Sequence, residues 1–187
     1  RGGLTGSHIY VEDEYIRAAV GGTGFAKVGG NYAGGMRATK KALEAGCKEV
    51  LWLDAFEHKY VEEVGTSNAF FMIDDEIITA PLAGSILPGV TRDSTIALLK
   101  KWGYKVSERR LAIDDIEAAS KNGTLQEAWA TGTACVISPI GYLRYKGEDI
   151  VINSGNVGPV SQKLYDTIYG MQTGTVQDDM GWIVTID

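Results

Sequence analysis

Tyr60-Val61-Glu62-Glu63-Val64, Ala69-Phe70-Phe71-Met72-Ile73 and Ile77-Ile78-Thr79-Ala80 follow one another within residues 60–80, separated only by short polar or glycine-containing links. Runs this rich in Val, Ile and aromatic residues, broken by turn formers, read as consecutive strands, with Asp74-Asp75 as the tip of a hairpin. The centre of the chain is therefore expected to be a β-meander and not a βαβ series.

Working outward, Ile9 to Val11 is strand-like, and Gly21-Gly22-Thr23-Gly24 marks a turn. Asn31 is placed to cap a helix running to about Ala45, with Gly46 as its stop. Lys48 then opens an apolar strand, Val50-Leu51-Trp52-Leu53. On the other side of the meander, Leu87-Pro88-Gly89-Val90-Thr91-Arg92 leads a helix through Trp102, whose apolar stripe is Ile96, Leu98, Leu99 and Trp102 and whose end is Gly103. A strand is expected over Lys105 to Leu111, a short helix capped by Asp114 through Ala119, and a strand over Ala128 to Ile137. Tyr142 to Tyr145 and Ile150 to Ile152 form a hairpin about Gly147, and Pro159 starts a last helix to about Tyr169. No repeat, low-complexity tract or long linker divides residues 1–187, so one domain is expected. Strands in local clusters with helices between them predict an α+β fold, with barrel-like or sandwich mixed β-structure and surrounding helices.

Composition narrows the function classes. A net charge of −6 argues against nucleic-acid binding, which calls for a basic face. No apolar run approaches the roughly 18 residues of a membrane span. Cys47 and Cys135 lack C-x-x-C spacing, and His8 and His58 have no partners at metal or triad spacing, so no metal site is expected and a reducing cytoplasm is the default. Glycine stands out, 24 of 187 residues against a usual share of roughly 7%, which implies tight turns or close approach of backbone to a ligand.

Those glycines surround the residues with chemical potential. Lys27 lies between Gly21-Gly22-Thr23-Gly24 and Gly29-Gly30, where partial desolvation favours a free amine able to attack a carbonyl; a solvated loop lysine is the plainer reading. Leu87-Pro88-Gly89-Val90-Thr91-Arg92 opens a helix whose unpaired first amides suit a phosphate, or is an ordinary helix start with Thr91 near the cap. Thr131-Gly132-Thr133-Ala134 suits an anion or carboxylate, or is a bulged strand. Of Glu62 and Glu63 only one can face a pocket, and Tyr32 either offers its phenol or packs.

Taken together and in this order, Phe25 to Tyr32, Glu63 to Asn68, Leu87 to Arg92 and Gly132-Thr133-Ala134 resemble the fold-type IV pyridoxal-phosphate enzymes, most closely the branched-chain aminotransferases. The resemblance implies that Lys27 holds pyridoxal 5'-phosphate as a Schiff base and moves protons at the substrate α-carbon. It implies that Glu63 pairs with the pyridine nitrogen, that Tyr32 bonds the phenolic oxygen, and that the amides of Val90 and Thr91 hold the phosphate. Thr66 joins the cofactor set, and Thr133 and Ala134 fix phosphate or substrate carboxylate. The implied reaction is amino transfer between Leu, Ile or Val and 2-oxoglutarate, small-molecule amino-acid and 2-oxo-acid substrates, in a cytoplasmic homodimer. The implied scope of residues 1–187 is the larger, cofactor-binding C-terminal domain, the small N-terminal domain lying outside them. A D-amino-acid aminotransferase, an aminodeoxychorismate lyase-like enzyme and an inactive isolated domain are the alternatives. Cys135 is followed by Val136-Ile137-Ser138 and so departs from the redox C-x-x-C of animal members.

Overall fold

A computed structural model describes residues 4–186. In chain order the elements are β1 (Ser7–Glu12), α1 (Gly29–Glu44), β2 (Glu49–Leu53), β3 (Val61–Val64), β4 (Ser67–Ile73), β5 (Glu76–Thr79), α2 (Val90–Lys101), β6 (Lys105–Glu108), α3 (Ile113–Asn122), β7 (Leu125–Gly132), β8 (Val136–Tyr145), β9 (Glu148–Val151) and, after a 3-10 turn at Asn153–Gly155, α4 (Pro159–Thr173).

The strands form one mixed sheet in the order β3-β2-β1-β8-β7-β4-β5-β6, and β3 also pairs with β4. That pairing closes the path from β3 through β2, β1, β8 and β7 to β4 into a ring, leaving β5 and β6 as an extension and β9 beside β8. The expected β3–β4–β5 meander is present and antiparallel. Asp74 and Asp75 both take positive φ, 49° and 62°, the twist a two-residue hairpin loop requires. Three parallel pairs have no counterpart in the sequence pattern: β1 with β2 across α1, β5 with β6 across α2, and β1 with the distant β8.

Alternation along β4 explains its nearly unbroken apolar sequence. Ala69 and Phe71 enter the core enclosed by the ring, where all six ring strands contribute side chains and Ile113, Ile116 and Ala119 of α3 join them. Phe70 and Met72 point the other way, into a second core beneath α2 and α4 with Trp129, Leu99 and Leu164. A strand buried on both faces carries no polar alternation. Helix α1 covers β2 through Asn31, Gly35, Ala38 and Ala42, a helical stripe of small residues. A Cβ on Gly35 would stand 3.2 Å from the Trp52 ring, so the helix sits close to the sheet.

Several boundaries differ from expectation. The stretch Ala128 to Ile137 is two antiparallel strands, β7 and β8, joined at Thr133–Cys135, so Tyr142 to Tyr145 ends the long β8. Strand β6 stops at Glu108, short of Leu111. Val28 caps α1 and Ala112 caps α3, neither with a side-chain bond, so Asn31 and Asp114 are not the caps. Asn31 is instead buried in the first turn. Its Nδ2 donates to the carbonyls of Thr23 and Ala26, both at 2.9 Å, and its Oδ1 accepts from Thr23 Oγ1 at 2.7 Å. It fastens the glycine-rich loop to the helix.

Candidate active site

The ends of β4 and β7, the start of α2 and the loop before α1 converge on a cleft of about 400 Å³, a size in the range of small-molecule and cofactor sites. Lys27 lies on one wall, Leu87 to Thr91 on another, and Thr131 to Cys135 with Thr66 on the rest. Of the residues singled out in the sequence, Lys27, Thr66, Val90, Thr91, Thr133 and Ala134 therefore line one space. Tyr32 stands at its edge, where Lys27 Nζ donates to the Tyr32 hydroxyl at 2.9 Å. Its phenol, half exposed, serves Lys27 and does not pack into the core. Lys27 is exposed, so the desolvation expected of it is not supplied by the described residues.

Helix α2 presents its N-terminus to the cleft. Gly89 is its cap, with no side-chain cap bond, so the amides of Val90 and Thr91 keep their donor capacity and the positive end of the helix dipole faces the space. Buried Arg92 anchors this turn, donating to the carbonyl of Ala80 at 2.9 Å and to Glu108 Oε2 at 2.8 Å. Glu108 is half exposed, and the first turn of α2 is thereby tied to the ends of β5 and β6.

Glu63 sits behind the cleft wall with 1% of its surface exposed. Its Oε1 accepts from Asn68 Nδ2 and from the Leu87 amide, both at 3.1 Å. Its Oε2 lies 2.7 Å from Arg17 Nε, yet no donor among the described residues is aligned to hydrogen-bond it. Burial pushes the carboxyl up to about 7 from its usual 4.5, prevailing over the opposing pull of the Arg17 guanidinium and the Leu87 amide. Its neighbour Glu62 points to the other side of β3 and accepts a hydrogen bond from Ser85 Oγ. Desolvation raises the Glu62 carboxyl as well.

Two site residues are not evident from the sequence. Asn68 links Glu63 to the carbonyl of Leu87, which it meets at 2.9 Å. Arg17 reaches the Gly24 carbonyl at 3.4 Å and the Ser85 carbonyl at 3.0 Å as well as Glu63. The only local signal for Arg17 is a lone cation in the run Ile16-Arg17-Ala18-Ala19-Val20. Among the described residues, no group of three or more His, Cys, Asp and Glu side chains is arranged for a metal ion, and no helix is long and apolar enough to cross a membrane.

A closed mixed barrel carries a cleft lined by a lysine and a helix N-terminus, with a buried carboxylate behind its wall, and residues 23–142 match the family model for amino-transferase class IV; the chain belongs to that family. Within it, the chain is 53% identical over 184 residues to branched-chain-amino-acid aminotransferase 2 of Bacillus subtilis (strain 168), covering 98% of this chain and 51% of the relative. Its fold matches the branched-chain amino acid aminotransferase from Escherichia coli with a TM-score of 0.79 at 30% identity, over 95% of this chain and 56% of that one. It also matches a T.th. branched-chain amino acid aminotransferase complexed with N-(5'-phosphopyridoxyl)-L-glutamate, with a TM-score of 0.80 at 32% identity over 96% of this chain and 56% of that one. The chain spans about half the length of the curated relatives it matches.

Proposed function

We propose that these 187 residues are one cofactor-binding domain of a pyridoxal-phosphate-dependent branched-chain aminotransferase, which exchanges amino groups between Leu, Ile or Val and 2-oxoglutarate. The observation that carries the reading is the cleft in which Lys27 faces the open N-terminus of α2, with the Glu63 carboxyl buried behind its wall.

The residues present fit the cofactor. Amides at Val90 and Thr91 suit a phosphate, with Thr133 beside them, and Glu63 Oε2, which faces the Arg17 guanidinium but accepts no aligned hydrogen bond among the described residues, suits a protonated ring nitrogen. The Tyr32 hydroxyl and Thr66 complete the set. When bound, pyridoxal phosphate supplies an electron sink for the charge left at the substrate α-carbon. Lys27 would hold the cofactor and, once its amine is free, would carry the proton from the substrate α-carbon to the cofactor carbon that receives the amino group. Glu63 would keep the ring nitrogen's proton in place, Tyr32 orients Lys27 Nζ, and Thr133 with Ala134 would position phosphate or substrate carboxylate.

A homodimer and a further N-terminal domain belong to the same proposal. Met36 and Leu43 on α1 are 71% and 61% exposed, an apolar face that suits cover by more protein. A cytoplasmic location accords with the unpaired thiols of Cys47 and Cys135. Spectra of the holoenzyme mixed with single amino acids test the substrate class. Conversion of the bound cofactor to its amine form by L-Leu, L-Ile and L-Val supports the reading; conversion by D-amino acids alone overturns it.

A further inference from the structure

Arg17 touches three of the segments around the cleft. It lies in the loop after β1, with only 9% of its side chain exposed. Its Nε faces Glu63 Oε2 on β3 at 2.7 Å, while its Nη1 donates to Ser85 O in the loop before α2 and, at 3.4 Å, to Gly24 O in the lysine loop. Those loops run against each other: a Cβ on Gly24 would come within 2.1 Å of the Ser85 carbonyl oxygen, so the two carbonyls can converge on one guanidinium only with glycine at position 24. The planar fork of arginine reaches several acceptors at once, as the compact ammonium of lysine does not.

The geometry points to Arg17 as the positioning residue of this site: it fixes Glu63 Oε2 and sets a positive charge against it, while joining the lysine loop to the loop that leads into α2. This rests on the reading of Glu63 as partner of the cofactor's ring nitrogen. The charged groups around Glu63 are Arg17 from the loop after β1, Glu62 on its own strand and Lys27 from the loop before α1, and Asn68 and the Leu87 amide add neutral donors. Glu62 opposes the negative charge on Glu63, and Lys27 favours it. With Arg17 removed, burial and Glu62 drive Glu63 to its neutral form at neutral pH, and a neutral carboxyl pairs poorly with a ring nitrogen that must stay protonated.

The test titrates pyridoxal phosphate into cofactor-stripped holoenzyme and its R17K, R17Q, E63Q and R17Q/E63Q variants at pH 7 and pH 9, reading the dissociation constant from cofactor absorbance. R17Q is expected to weaken binding about fivefold or more relative to the parent at pH 7, the drop in ionised Glu63 when its pKa of about 7 rises by about one or more, and less at pH 9, where Glu63 ionises without help. R17K, which keeps the charge but not the fork that reaches both loop carbonyls, recovers part of the loss at pH 7. In the E63Q background the same substitution changes the constant by less than about threefold, because its target is gone. A loss equal at both pH values and equal in the E63Q background assigns Arg17 to scaffolding alone and overturns the inference, as does R17Q binding like the parent. If R17Q does not fold, folding of R17Q/E63Q supports the inference and its failure to fold overturns it. A parent protein that binds no pyridoxal phosphate overturns the cofactor reading itself, whereas a parent that binds and an R17Q that binds equally well overturn only the role of Arg17.

Discussion

Asn68 Oδ1 occupies the space in which a side chain on Gly89 would begin: a Cβ there would lie 2.3 Å away. The amide nitrogen of the same side chain bonds Glu63 Oε1 and the Leu87 carbonyl. The cap of α2 and the buried carboxylate are thus held together through one asparagine, and the absence of a β-carbon at residue 89 permits it.

Gly89→Ala is therefore expected to push Asn68 aside and cost about 1–3 kcal/mol, the usual range for overpacking a close-packed site. Its backbone φ of −71° suits alanine, so the penalty is one of space and not of conformation. Urea unfolding of the cofactor-free protein measures it. Stability within about 0.5 kcal/mol of the parent, the scatter of neutral surface changes, contradicts the expectation.

Glu63 gives stability a definite dependence on pH. Its carboxyl is raised to about 7 in the fold against 4.5 ordinarily, so between those values the folded state binds more protons than the unfolded one. Stability from this group is accordingly present at low pH and is lost as pH rises from about 4.5 through about 7. Glu62, also raised by burial, adds a slope of the same sign, so the informative quantity is the difference between the parent and E63Q. Unfolding of the cofactor-free proteins from about pH 4 to about pH 8 is expected to show the parent losing more stability than E63Q; parallel curves contradict it.

The parts of the site that are legible in the sequence are those carried by short contiguous stretches. Lys27, the Val90-Thr91 turn and Thr133-Ala134 each announce themselves through adjacent glycines or a helix start, and the fold brings them to one cleft. Arg17 is not legible because its partner Ser85 is 68 residues away and nothing local marks the contact. Asn31 misleads because the sequence position of a cap looks the same whether the side chain bonds the helix or, as here, the carbonyls of the loop before it. The β7–β8 turn is hidden because both strands are buried on both faces and Gly132-Thr133-Ala134-Cys135 lacks a strong turn pair, although Val136 takes a φ of 57° there. The parallel pairings of β1 with β2 and β5 with β6 depend on how α1 and α2 pack, which strand alternation does not encode.

Glu127 makes a prediction away from the cleft. This buried carboxylate accepts from the amides of Val160 at 2.9 Å and Ser161 at 3.0 Å and from Ser161 Oγ at 3.0 Å, capping α4 from β7. Glu127→Ala removes those charge-assisted bonds and is expected to cost about 3 kcal/mol in urea unfolding. The folded fraction should bind pyridoxal phosphate as the parent does. A large loss of cofactor affinity with unchanged stability reverses the expectation.

Everything in the proposed chemistry depends on Lys27 being the residue that holds the cofactor. Borohydride reduction of the holoenzyme, proteolysis and mass mapping test this most directly. One phosphopyridoxyl adduct is predicted, on the peptide containing Phe25-Ala26-Lys27-Val28 and on Lys27 itself, and none in Lys27→Ala. An adduct on any other lysine, or one that persists in Lys27→Ala, contradicts it.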